Sequence, residues 1–140
     1  MAAANNFIDS NVLLYLLSTD TKKADIAEAI LRTGGLISVQ VLNEIANVAL
    51  RKLGMSWREI NQFLSPVRSL CIVESLTAET HDRGREIAEH YGLSVYDSMI
   101  VSAALLAGCT TLYSEDMQHG LMVDKQLSVV NPFANPFKAP

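Results

Sequence analysis

No two cysteines in this sequence are spaced to hold a metal or to run a redox cycle. Cys71 and Cys109 stand apart in apolar surroundings, with no CxxC and no Cys/His pattern around them. They read as buried thiols in a reducing cytosol, which sets aside zinc and disulfide chemistry. There is no low-complexity stretch and no internal repeat. No basic region precedes the first apolar run, and Asp9 and Asn11 interrupt that run, so it makes a poor signal peptide. The longest apolar segment, Met99 to Cys109, is too short to span a bilayer. These absences lead us to expect a soluble, cytoplasmic chain. Positive charge is also scarce. Eleven Lys and Arg against fifteen Asp and Glu leave −4, the wrong sign for a protein that grips nucleic acid by its overall charge.

What is present is an oily chain of 140 residues, 49% apolar and 19% charged, read as one domain over 1–140 with a Pro-rich tail at 129–140. Phe7 and Ile8 form a short strand ending at Asp9, and Ser10–Ser18 follows as a helix capped by Asp9 or Ser10. A helix over Thr21–Arg32 stops at Gly34 and Gly35, and Leu36–Ser38 is the second strand. Val39–Leu53 is an apolar helix with one polar stripe, Gln40, Asn43, Glu44, Asn47 and Arg51. Ser56 and Glu59 form a capping box for a helix that turns Trp57, Ile60, Phe63 and Leu64 inward and is ended or bent at Pro66. Leu70–Glu74 is the third strand, and Thr77 opens a helix closed by Gly92. Ser94 to Asp97 reads as a second capping box, opening an apolar and therefore buried helix over Asp97–Ala107. The fourth and fifth strands are Thr111–Ser114 and Leu127–Val130. Short strands alternating with helices predict a parallel sheet covered on both faces, an α/β sandwich.

In open α/β sheets, ligands bind beyond the carboxyl ends of the strands. Asp9 ends the first strand, Asp116 follows the fourth, Asp97 starts the buried helix, and Glu44 lies on the polar stripe after the second strand. Each has a plainer role when taken singly: Asp9 as an N-cap, Asp97 as a complement to the helix dipole, Asp116 as a turn residue, Glu44 as part of a solvated face. Strand ends gather caps as well as ligands, so position does not decide between these roles.

The segments NFIDSNVLLYLLS, ISVQVLNEIANVALRK, LSVYDSMIVSAALLAGC, LYSEDMQHG and VVNPF, in that order, resemble the successive motifs of PIN-domain nucleases, and within them the VapC-type toxins of bacterial toxin–antitoxin pairs. The resemblance runs from Phe7 to Phe133 and implies a PIN-like three-layer α/β/α sandwich with a short, mainly parallel central sheet. It places the family's acidic quartet on Asp9, Glu44, Asp97 and Asp116, as catalytic residues and metal ligands. Asn11 and Ser114 match the polar positions that support them, and Glu115 is a second acid beside Asp116. It further implies RNA as substrate, products with a 5′-phosphate and a 3′-hydroxyl, a homodimer, and an antitoxin whose C-terminal segment blocks the acidic site.

All-oxygen ligation selects a hard cation, Mg²⁺ or Mn²⁺. The four carboxylates also answer the charge objection, because without them the chain is neutral and RNA would be met by local patches. Candidate contacts are Arg51 above all, then Lys22 with Lys23, and Arg83 with Arg85; His119 could approach the site but reads as a surface residue. A haloacid-dehalogenase phosphatase needs an aspartate where Asn11 stands, and a phospho-receiver needs acids where Asn5 and Asn6 stand. The remaining alternatives are a non-catalytic interaction module whose acids are helix caps, and a housekeeping RNA-processing nuclease of the same family. The compact length favours the toxin.

Overall fold

The computed structural model describes residues 5–134. Six strands form one sheet: β1 (Asn6–Ile8), β2 (Gly35–Ser38), β3 (Cys71–Glu74), β4 (Thr111–Tyr113), β5 (Met122–Val123) and β6 (Leu127–Val130). Their spatial order is β3-β2-β1-β4-β6-β5, and every neighbouring pair is parallel except β5 with β6. Phe7, Ile8, Ile37, Leu112 and Val129 are fully buried, as central parallel strands covered on both faces require. The close approach of β2 to β1 needs a glycine. A Cβ on Gly35 would stand 2.9 Å from the Asn6 carbonyl oxygen.

Six helices join the strands: α1 (Ser10–Leu14), α2 (Thr21–Thr33), α3 (Val39–Arg51), α4 (Trp57–Leu70), α5 (Ala78–Tyr91) and α6 (Val95–Leu106). The connections β1 to β2 and β2 to β3 step one way along the sheet, and β3 to β4 steps back past both. Right-handed crossovers therefore put α1–α4 on one face and α5–α6 on the other, which is the expected three-layer arrangement. The strand order reverses at β1, so the crevice of a doubly wound sheet opens between the carboxyl ends of β1 and its neighbours. Among the described residues no helix is long and apolar enough to cross a membrane.

Four local readings need correction. The expected helix over Ser10–Ser18 is α1 followed by a 3₁₀ turn at Tyr15–Leu17. Trp57 does not face inward; it is 59% exposed, because it sits on the capping turn of α4, one turn before the packed stripe begins at Ile60. Pro66 does not end α4, which continues to Leu70. Pro66 and Gln62 are both exposed, so the Gln62 carbonyl that loses its helical donor is left to water at small cost.

The fourth is a strand that the sequence reading passed over. β5 pairs with β6 through a three-residue connection, Asp124 to Gln126, in which Asp124 and Lys125 have φ of 53° and 56°, and Gln126 N–H closes it onto the Val123 carbonyl at 3.0 Å. That backbone normally asks for Asn-Gly. Here α5 holds it in place. Arg83 is ion-paired with Asp124, the Tyr91 hydroxyl donates to Asp124 Oδ1 at 3.1 Å, and it accepts from the Asp124 N–H at 2.9 Å. Val129 and Val130 belong to β6, and the part of the Pro-rich tail at 135–140 lies outside the described residues.

Candidate metal centre

Asp9 follows β1 directly and is 3% exposed. Its N–H donates to the Tyr113 carbonyl at 2.9 Å, which continues the β1–β4 ladder by one residue and fixes the side chain between the two strand ends. Asp9 is the N-cap of α1, but its bonds are not those of an ordinary cap. Oδ1 accepts from the adjacent Ser10 N–H at 2.7 Å, whereas a capping oxygen usually takes the second or third N–H of the helix. Oδ2 points across the sheet, accepting from Ser114 Oγ at 2.8 Å and Asn11 Nδ2 at 3.2 Å. A five-residue helix gains about 1 kcal/mol from a cap, less than an unpaired buried charge costs. Capping alone does not account for Asp9.

Asn11 and Ser114 both bond Asp9. Asn11 Nδ2 lies 3.4 Å from Ser114 Oγ, and Asn11 Oδ1 accepts the Glu115 N–H at 3.0 Å, so one amide ties α1 to the segment after β4. Glu44, on the second turn of α3 and half-buried, accepts from Ser10 Oγ at 2.8 Å and from Gln40 Nε2 at 2.9 Å. Ser10 thus bonds both Asp9 and Glu44 and orders one relative to the other. The sequence reading missed this role of Ser10 and Gln40. Gln40 was legible in principle, since it lies four residues before Glu44 on the same stripe. Asp97 is in the first turn of α6, its N–H held by Ser94 Oγ at 3.1 Å. The helix starts two residues earlier than expected, at Val95.

Electrostatics links these acids. Burial pushes the Asp9 carboxyl up to about 7, and the charges of Glu44 and Asp97 push the same way, against the bonds from Ser114 and Ser10. Asp97 is also raised, by burial first and then, against the Ser94 hydroxyl, by Asp116 and Glu44. Glu115 goes the other way. Burial would raise it, but Lys23 and Tyr15 prevail and hold it below the usual carboxylate range. Both Glu115 oxygens are occupied, Oε1 by the Tyr15 hydroxyl at 2.6 Å and Oε2 by Lys23 Nζ at 2.8 Å. Two sets of acids result: Asp9, Glu44, Asp97 and Asp116 act on one another, and Glu115 is neutralised elsewhere.

Among the described residues none of the first four is in an ion pair, and no three metal-ligating side chains are drawn together onto one point. The donor set nevertheless fits a hard divalent cation: oxygen ligands only, mutually repelling, with no lysine or arginine to offset them. Several expected RNA contacts are committed elsewhere. Lys23 pairs with Glu115, Arg83 with Asp124, and Arg85 with Asp82 at 3.0 Å. Arg51 is exposed on the last turn of α3. His119 is exposed as expected, and its Nδ1 accepts the Asn131 N–H at 2.9 Å. Cys71 and Cys109 are buried, and neither is in a disulfide.

No curated protein matches the sequence significantly. The fold is similar to that of a toxin–antitoxin complex from Klebsiella pneumoniae, at TM-score 0.67 and 19% identity over 91% of this chain and 98% of the other. It is similar to Mycobacterium tuberculosis VapC20, a sarcin–ricin-loop-cleaving toxin, at TM-score 0.66 and 18% identity over 79% and 89%. A third likeness is to VapBC2 of Rickettsia felis bound to a promoter DNA fragment, at TM-score 0.64 and 17% identity over 89% and 96%. The family model for the PIN domain matches residues 7–120, and this chain therefore belongs to the PIN-domain family.

Proposed function

We propose that this protein is a metal-dependent endoribonuclease and the toxin of a toxin–antitoxin pair. The observation that carries the reading is Asp9, a carboxylate buried at the reversal of strand order, bonded across the sheet to Ser114 and repelled by Glu44 and Asp97. A bare interaction module has no use for such an arrangement, which weakens the fold unless a cation is present.

Asp9, Glu44, Asp97 and Asp116 would hold Mg²⁺ or Mn²⁺. When bound, such an ion lowers the pKa of a water and offsets charge on a phosphodiester. The chain supplies the positions. Ser114 and Asn11 orient Asp9, Ser10 and Gln40 orient Glu44, and the capped start of α6 fixes Asp97. Arg51 would meet the RNA backbone beside Glu44. The printed descriptions of the Klebsiella and Rickettsia structures support an antitoxin partner, and that of VapC20 supports RNA as substrate. A homodimer and a cytoplasmic location belong to the same proposal.

The test is cleavage of a mixed RNA pool by purified protein with Mn²⁺ or Mg²⁺, against EDTA, beside folded Asp9→Asn. We expect metal-dependent cutting that the variant loses. No cutting, together with no rise in melting temperature on adding Mn²⁺, would return Asp9 to the role of a cap.

A further inference from the structure

Two acids follow β4 in succession, and only one is left open. Glu115 is turned toward α2. Its carboxylate bonds Tyr15 at 2.6 Å and Lys23 at 2.8 Å, Lys23 Nζ also donates to the Tyr15 hydroxyl at 3.1 Å, and its N–H is taken by Asn11. The ion pair is shielded by rings. Lys23 Nζ lies 4.6 Å from the Tyr15 centroid and 5.3 Å from that of Phe133, and the two rings meet edge to face at 4.7 Å. An ammonium held over aromatic faces and out of full solvent is worth more than an exposed pair. Asp116 is exposed, and among the described residues its carboxylate accepts no hydrogen bond.

We propose that Lys23, together with Tyr15, is a positioning residue that decides which acid of the Glu115–Asp116 pair serves the acidic edge. Holding Glu115 against α2 leaves Asp116 as the one ligand from this segment and keeps a further negative charge away from the phosphate. The inference rests on the metal-dependent reading above. It assigns Lys23 a part that a surface lysine would not have, and it removes Lys23 from the RNA contacts.

The experiment measures Mn²⁺ binding to the full chain by titration calorimetry, without RNA. Asp116→Asn should weaken binding about tenfold or more, since losing even a group that only orients a ligand costs about ten- to a hundredfold. Adding Lys23→Met should free Glu115 and recover most of the loss. Lys23→Arg in the same background keeps the pair and should recover nothing, and Lys23→Met with Glu115→Gln should also stay weak. If Lys23→Met unfolds the protein, Tyr15→Phe, which removes only a hydroxyl, replaces it and should give a partial recovery. Binding as weak in the Lys23→Met double variant as in Asp116→Asn overturns the inference alone. So does equal recovery with Glu115→Gln, which would reflect net charge. A wild-type chain that binds no Mn²⁺ removes the metal-dependent reading, and the inference with it.

Discussion

Replacing Asp9 by asparagine should make the metal-free protein more stable at pH 8, although it removes a charge from the proposed site. The folded chain holds this carboxyl at about 7, against 3.8 for the ordinary group. Each pH unit of that difference is worth about 1.4 kcal/mol, so ionising Asp9 in the fold costs on the order of 4 kcal/mol. The sign follows from the proton. Between about pH 4 and 7 the folded protein retains a proton that the unfolded chain has released, so stability falls as pH rises through that window. Below it the penalty vanishes; above it the penalty is complete. Asparagine carries no charge but offers one acceptor fewer, and losing one or two of the bonds from Ser10, Ser114 and Asn11 returns about 1–2 kcal/mol. The expected net gain at pH 8 is therefore roughly 2 kcal/mol, with no gain or a small loss at pH 4. Urea denaturation in EDTA at the two pH values reads this directly. Added Mn²⁺ should stabilise the wild type at pH 8 and not the variant. A loss of about 1 kcal/mol at both pH values, as for an ordinary helix cap, would refute the reasoning.

Other consequences are open to the same assays. Lys125→Gly relaxes a left-handed backbone and should stabilise by about 1 kcal/mol, whereas Asp124→Gly relaxes its neighbour but strips Arg83 and Tyr91 of their partner and should destabilise. Gains in melting temperature for both would mean that the α5 contacts contribute little. A Cβ on Gly84 would lie 2.7 Å from Met99 Cε, so Gly84→Leu should overpack the α5–α6 contact and cost about 1–3 kcal/mol in urea; no loss would place Gly84 outside a tight contact. The Cys71 and Cys109 thiols are pushed up to about 11, by burial first and for Cys109 also by Glu74. A thiol reagent at pH 8 should leave both unmodified in the native protein and react fully in urea; rapid native labelling would contradict their burial.

The sequence was most legible where local signals agree with the fold. Ser56–Glu59, Thr77, Ser94 and Gly92 all act as helix boundaries through short-range bonds, and the five longer strands read as apolar runs bounded by polar residues. It was least legible where distant elements decide. The Asp124–Lys125 turn has no glycine, and only Arg83 and Tyr91, over 30 residues away (33 for Tyr91), explain it. Trp57 misled because its spacing from Ile60 and Leu64 is right but nothing packs over the capping turn. At the site, the strand-end rule offered Asp9, Asp97 and Asp116 as candidates and the stripe on α3 offered Glu44, but each also read as a cap, a turn or a solvated residue, and only the resemblance to PIN-domain nucleases grouped the four. The sorting of Glu115 from Asp116 was not legible, since it depends on Lys23, 92 residues earlier in the chain.

The bond between Asp9 and Ser114 spans 105 residues, and β1 has no partner on one side until β4 exists. At a synthesis rate of about 5–20 residues per second, the interval between making the two ends is roughly 5–20 s. During that time Phe7 and Ile8 have half their sheet to join, and the acids have no common edge. Whatever activity the edge confers is switched on only when most of the chain has been made, and all at once.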